Sequence, residues 1–478
     1  MMLARYDRWT THAVALLLMT LAAYGLFSLP QLGERWGVSA AGIGVLLAWS
    51  ASAGWALATA ARTPRRAEWI VFAAVAVAWR LGSMALAEPR VSPGDSHWYP
   101  VLAHNLLIGR GLVVDEPYMH QAVRAFFPPF YPLLLAGWTA VIGTSSLSLL
   151  VLSTLIDAAA ALLIARVGAR LGAPSAGRAT ALLYLIWPSA LFSAPLAQKE
   201  GLEVLLTMAQ ALAWIEAWHG RWTGWRRAAG IGAPAALLAL TQPGLAMLGL
   251  LFGLALLPRV GVRRLLGIGV PAAGVAVLLM LPWWWRNYLV FGQFVPLTSA
   301  GGISLWVGNS PGASGNWQPY PPELAGLPEL AYAKGAGNIA WEWMRHHPLE
   351  DARLTLAKFL RATGLGEFGL VRLSAMRPPI APAIGAALFL TGHLAHIAML
   401  AAGAVTLGRR RDENTAVAAA LVLACVAQLL LFGVWFEFGE RHREFMTPLL
   451  MLPVTAFVAD GFRRRTVPAA SSSVRQAA

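Results

Sequence analysis

Twelve apolar runs, most of them close to 20 residues long, recur along this 478-residue chain, at about 11–30, 38–61, 67–87, 147–168, 179–197, 200–218, 228–241, 244–258, 265–282, 380–407, 415–436 and 445–461. A helix of that length crosses a hydrocarbon core of about 30 Å. Only 13% of the residues are charged, where a soluble domain carries roughly a quarter. The runs therefore predict an all-α polytopic membrane protein with about 12 transmembrane helices.

The net charge of +14 does not point to nucleic acid, because the arginines cluster between the apolar runs. The triplets are Arg62, Arg65, Arg66; Arg166, Arg170, Arg178; Arg221, Arg226, Arg227; Arg259, Arg263, Arg264; Arg409, Arg410, Arg411; and Arg463, Arg464, Arg465. With both termini cytoplasmic, all of them fall on the inner side, as the positive-inside rule requires. The expected location is a bacterial cytoplasmic (inner) membrane, with the lipid bilayer as partner. Arg5 and Arg8 ahead of the first run read as a retained signal-anchor. Cys425 is the sole cysteine and lies in an apolar run, so disulfides and cysteine metal sites are excluded. No GxGxxG, P-loop, HExxH or CxxC pattern occurs.

Residues 128–143 are apolar but too short for an ordinary span, and they start with two prolines; the segment is expected to lie on or dip into the outer face. Runs 228–241 and 244–258 are broken by Gln242-Pro243-Gly244 and suggest a tight hairpin. Two long outer segments remain, 88–146 and 283–379, both rich in Trp, Tyr, Pro and Gly and expected to bear interfacial helices. Trp283-Trp284-Trp285 follows a span, as an aromatic belt or a lipid contact would. The chain thus divides into two N-terminal helices (1–66), a core (67–282) with the first outer loop (88–146), an outer loop region (283–379), C-terminal helices (380–462) and a disordered cytoplasmic tail (463–478).

Ionisable groups at membrane depth are costly, so their positions are informative. Asp95 follows a Pro-Gly turn and precedes an amphipathic stretch, 96–109. It either caps that helix or presents a proton-accepting carboxylate at the interface. His97 is a second polar wall or an ordinary interfacial histidine. Lys199-Glu200, with Glu203 a turn on, is either a salt-bridged turn or a site where Lys199 meets a phosphate and Glu200 faces the reacting centre. Arg286-Asn287-Tyr288 and Arg441-His442-Arg443 place arginine on the outer side, where guanidinium groups suit phosphate oxygens. The second pair has Glu437, Glu440 and Glu444 as alternative partners. Asp115-Glu116 is a solvated acidic turn or binds metal or acceptor, and Asp157 bonds across helices or lines a polar path.

Several blocks carry a family resemblance: GDSHWYPVLAHNLLIGRGL, PPFYPLLLAGW, PLAQKEGLEVLL, LPWWWRNYLVFGQFVPLTSAGGISLWVGNSPGASG, HHPLEDARLTLAKFL and ERHREFMTPLLMLP. Over roughly residues 67–460 the chain resembles the GT-C superfamily of membrane glycosyltransferases. The branch it looks most like is the bacterial family-39-like enzymes, relatives of protein O-mannosyltransferases and the lipid A aminoarabinose transferase. The resemblance implies a GT-C-like bundle. It also implies an inverting transfer of sugar from a polyprenyl-phosphate donor to a hydroxyl of a lipid, glycan or protein acceptor. Asp95 matches the catalytic aspartate of the first outer loop and Glu200 the second acidic position. Lys199, Arg286 and Arg443 are the expected donor-phosphate ligands. His97, Tyr99, Asp115, Glu116, Arg124, Tyr288 and Arg441 are further candidates for substrate contact. A divalent metal, Mg or Mn, near Asp95 is compatible with this chemistry but not demanded by it. Relatives often show Ser-Glu where this chain has Lys199-Glu200, and many lack the two extra N-terminal spans. The competing reading is a transporter or flippase of lipid-linked sugars, or a non-catalytic component of a polysaccharide assembly complex; a transporter predicts charged or broken-helix elements near the bilayer midplane.

Overall fold

The computed structural model describes residues 2–62, 64–88, 90, 94–117, 119–367, 375–410 and 412–466. The chain opens with α1 (Met2–Trp36), α2 (Ala40–Ala60) and α3 (Arg66–Ala87). The first loop region holds α4 (Asp95–Leu107), an antiparallel hairpin of β1 (Val114–Glu116) and β2 (Gln121–Val123), and α5 (Phe130–Ile142). Next come α6 (Ser146–Arg170), α7 (Pro174–Leu185), α8 (Pro188–Ser193), α9 (Glu200–Trp218), α10 (Gly224–Ala239), α11 (Leu248–Ala255), α12 (Leu257–Val260) and α13 (Val262–Phe291). The second loop region carries α14 (Gly301–Gly308), α15 (Glu329–His346) and α16 (Pro348–Gly364). The chain closes with α17 (Pro382–Arg409), α18 (Glu413–Phe432) and α19 (Thr447–Thr466).

Among the described residues, seven helices are long and apolar enough to cross a membrane: α1, α2, α3, α6, α13, α17 and α18. This is the build of a multi-pass, all-α membrane protein. The other expected spans are helical too, but differ in form. Run 179–197 is split, because α7 ends at Leu185 and Pro188 opens α8 at the first helical position that proline favours. Run 200–218 is one helix, α9, buried along nearly its whole length although it carries Glu200, Glu203 and Glu216. Other helices surround it, so its carboxylates meet protein rather than lipid.

Helices α10 and α11 touch at Gly249 and Ala235, but each packs mainly on other helices. α10 packs on α13 and α9, whereas α11 lies on α18 and α9. Gly232 makes the first contact close, since a Cβ there would sit 2.2 Å from the Ala272 carbonyl oxygen. α13 also runs past the expected end of its span at 282, through the Trp triplet to Phe291. At 1.5 Å per residue it is about 45 Å long, so it passes beyond the hydrocarbon core. Trp283 and Trp284 donate their indole N–H groups to the Leu297 and Pro296 carbonyls at 2.6 and 2.7 Å. Trp285 stays exposed, as an interfacial anchor would. Residues 128–143 hold the short apolar helix α5.

The arginine-rich connectors gather at one end of the bundle. There Arg259 pairs with Asp7 and Glu413. Arg178 donates to the Ala60 carbonyl at 3.2 Å, Arg264 to that of Ala217 at 2.9 Å, and Arg170 meets Glu216. Arg411 lies outside the described residues. α19 continues to Thr466, so the expected disordered tail is helical at its start, and from 467 it too lies outside them.

Asp157 finds its partners across helices. Its Oδ2 accepts from Arg80 Nη2 at 2.8 Å and its Oδ1 from the Tyr184 hydroxyl at 2.9 Å, joining α6, α3 and α7. Both charges are buried. Asp157→Asn, which strands the Arg80 charge, is expected to cost about 3–5 kcal/mol, whereas Arg80→Met with Asp157→Leu should be far milder. Thermal unfolding of the purified variants checks this.

Candidate functional site

The opposite end of the bundle collects the polar groups singled out in the sequence. Gly94, at φ 71, takes the N-cap position and turns the chain into α4, so Asp95 becomes the first helical residue rather than the cap. A carboxylate in a first helical turn is favoured by the helix dipole. Asp95 Oδ2 accepts from Arg441 Nη1 at 2.6 Å. Arg441 Nη2 lies 3.9 Å from Glu437 Oε1, so of the partners open to it Asp95 is the closer. The Asp95 and Arg441 side chains are 23% and 19% exposed, which leaves this pair reachable from outside.

α9 brings the second group. Its first residue is Glu200, preceded by Lys199. With its amide oriented to satisfy both ends, Gln198 donates to Glu200 Oε2 at 2.9 Å and accepts from the Ser96 hydroxyl. The residue beside Asp95 is thereby tied to Glu200. Lys199 ion-pairs with Glu203 at 3.2 Å, one turn along, and donates to Gln242 Oε1. That explains the Gln242-Pro243-Gly244 break: it carries Gln242 to the lysine, while Gln428 holds the Gly244 carbonyl at 2.6 Å.

Electrostatics join these groups. Burial works against the charge of Arg441, but Asp95, Glu437 and Glu200 together hold its pKa above the ordinary value. Burial, then Arg441 and Lys199, push His442 well below the usual imidazole range, so it sits neutral. Its Nδ1 accepts from the Gly439 amide at 3.1 Å and its ring stacks on Phe438. Tyr99, one turn beyond Asp95, is buried between Phe127 and Tyr131. Burial, Asp95 and Glu200 raise its pKa. Tyr99 is thus a neutral wall of the site.

Other expected site residues lie apart. Arg443 points away from Asp95: it is buried and donates to the Ala362 carbonyl at 2.7 Å and to that of Leu365. Its Nη1 is held by the C-terminal end of α16, so the structure does not bring this expected phosphate ligand to Asp95. Arg286 stacks on Trp283 at 5.0 Å and donates to Asn287 Oδ1 at 3.0 Å, in a second cluster near Arg124 and Glu329. Glu329 accepts from the Arg124 and Ala125 amides, at 2.6 and 2.9 Å. Tyr288 is exposed beside Trp285. Asp115 is exposed on β1, 4.0 Å from Arg110, whereas Glu116 is buried and accepts from the Met119 amide at 2.7 Å. His97 packs edge-on to Trp98. Among the described residues, no group of three or more His, Cys, Asp or Glu side chains is placed to hold a metal ion. The salt-bridged turn that the sequence left open is formed with Glu203 as the partner of Lys199, at the i,i+4 spacing.

Fold and site define a multi-pass, all-α membrane protein with an accessible carboxylate–guanidinium pair at the end opposite its arginine-rich connectors. Among solved structures, the chain is similar to the archaeal oligosaccharyltransferase AglB from Archaeoglobus fulgidus, in complex with an inhibitory peptide and a dolichol-phosphate. The two share 13% identity over 84% of this chain and 51% of that one, with a TM-score of 0.48. A second structure of the Archaeoglobus fulgidus oligosaccharyltransferase, tethered to an acceptor peptide, matches at 14% identity over 82% and 50%, with a TM-score of 0.47. ArnT from Cupriavidus metallidurans, bound to undecaprenyl phosphate, matches at 16% identity over 84% and 79%, with a TM-score of 0.39. The chain spans about half the length of the oligosaccharyltransferases it matches. No protein-family model matches it, and no curated protein sequence does.

Proposed function

We propose that the chain is an inverting glycosyltransferase that moves a sugar from a polyprenyl-phosphate donor to an acceptor hydroxyl at the outer face of the cytoplasmic membrane. The observation that carries this reading is the Asp95–Arg441 pair, a reachable carboxylate and guanidinium in direct contact beside Glu200. The donor phosphate competes with Asp95 for Arg441, and its arrival frees the carboxylate. The acceptor oxygen then attacks the anomeric carbon, its proton passes to Asp95, and the bond from that carbon to the phosphate oxygen breaks. Polyprenyl phosphate leaves with one more negative charge, which Arg441 stabilises. Arg441 takes the role first expected of Arg443, with Lys199 behind it. Glu200, anchored through Gln198 to the residue next to Asp95, orients the acceptor.

A carrier of lipid-linked sugars would place its charges deeper in the bundle. The Arg80–Asp157 pair lies against Gly201, next to Glu200, but its groups are bound to one another and to Tyr184, as in a helix-to-helix lock. Mass spectrometry of lipids that co-purify with Asp95→Asn tests the donor class. A polyprenyl-phosphate sugar is expected, and bulk phospholipid alone would contradict the reading. For the outward placement, His97→Cys in a Cys425→Ser background should react with an impermeant thiol reagent added from outside. Labelling only after the membrane is opened would reverse the orientation.

A further inference from the structure

Lys358 is one of three lysines in the chain, and it is fully buried in α16. Its ammonium donates to Asn309 Oδ1 at 2.7 Å and to the carbonyls of Gly308 and Phe436 at 3.3 and 3.4 Å. These are neutral oxygens. A buried ammonium without a carboxylate in contact is costly, and methionine or leucine would fill the same space more cheaply. What lysine adds is three donors that reach two segments at once.

Those segments are the GGISLWVGNSPGASG block and the stretch Trp435–Phe438, which leads into Arg441. Four successive residues of that stretch are held. Asn309 Nδ2 donates to the Trp435 carbonyl and Lys358 to that of Phe436. The amides of Glu437 and Phe438 donate to Ser304 and Gly315 carbonyls, at 3.0 and 3.3 Å. Gly308 and Gly315 permit the fit. A Cβ on Gly308 would lie 2.5 Å from Phe436 backbone, and one on Gly315, at φ +79, 2.3 Å from Lys358 Cγ. On either side of Arg441 the chain is tied down again, by Glu440 Oε2 to the Glu367 amide just past α16 and by Arg443 to the Ala362 carbonyl within it, both at 2.7 Å.

We infer that Lys358 is a positioning residue: with Asn309 it clamps Trp435–Phe438 and so sets Glu437 beside Arg441 and Arg441 against Asp95. The inference rests on the reading of Asp95 and Arg441 as the reacting groups, and its test has one arm that needs no activity.

In Lys358→Met, hydrogen–deuterium exchange of the peptide covering 435–441 should rise, while peptides within α18 stay as in the wild type. Unchanged exchange at 435–441 would overturn the clamp. In the second arm, Lys358→Met should lower kcat for transfer by about 100-fold, the scale of a 1 Å misplacement. In an Arg441→Gln background the same change should cost less than about threefold, because residues acting through one another are non-additive. Losses that multiply would overturn the positioning role and leave a structural one. If Lys358→Met fails to fold, Asn309→Ala enters the same two arms with the same expectations. Exchange that rises in a chain whose wild type transfers no sugar upholds the clamp and sinks the proposed transferase instead.

Discussion

Asp95→Asn should lower sugar transfer by about 10²–10⁴-fold, the usual contribution of a positioned general base. Asparagine matches aspartate in size, and its amide oxygen can still accept from Arg441, so the start of α4 and the 3₁₀ turn at 440–446 should keep their places. What it loses is the ability to take the acceptor's proton. The loss should therefore fall on kcat, with the KM for the donor changed by no more than a few fold. Single-turnover transfer and donor binding, measured on one preparation, check both halves. A loss confined to donor binding would instead make Asp95 a ligand of the donor.

Arg441→Gln should act on the other partner. The leaving polyprenyl phosphate gains charge in the transition state, and removing a donor aimed at developing charge typically costs about 10²–10³ in kcat. Arg441→Lys should recover only a minor part of that loss. An ammonium keeps the charge but lacks the planar fork that reaches Asp95 and Glu437 in this structure. Neither variant is expected to unfold the chain, since the segment carrying Arg441 is fastened on both sides through Phe436 and Arg443. Kinetics of both variants, together with their size-exclusion profiles, provide the check. Full activity in Arg441→Lys would reduce the residue to a simple point charge.

The parts of this arrangement that could be read from the sequence are those set by short-range pattern. Apolar runs and the arginines between them are local, and both reappear as helices and as one arginine-lined end. Asp95 stood out because Pro-Gly before it and an amphipathic stretch after it are also local. The breaks were harder. Pro188 ends a run that hydrophobicity alone leaves continuous, whereas Pro271 and Pro282 sit inside α13 without ending it. Proline's effect depends on whether neighbouring groups re-satisfy the freed backbone, which is a tertiary property.

Arg441 and Arg443 could not be ranked from sequence. In a 3₁₀ turn each residue advances about 120°, so side chains two apart face different ways. One meets Asp95 and the other α16. Lys358 was conspicuous by rarity alone, because its partners Asn309 and Phe436 are 49 and 78 residues away in the chain. Arg286 drew notice as an outer arginine, but Trp283 and Asn287, close to it on the same helix, occupy it.

The central claim is that Asp95 takes the acceptor's proton in a single displacement at the anomeric carbon. It is tested most directly by supplying membranes containing the wild-type chain, or Asp95→Asn, with a polyprenyl-phosphate sugar of known anomeric configuration and reading the product's linkage. The account predicts transfer with inverted configuration by the wild type and essentially none by Asp95→Asn. Retained configuration, or equal transfer by the two chains, would contradict it.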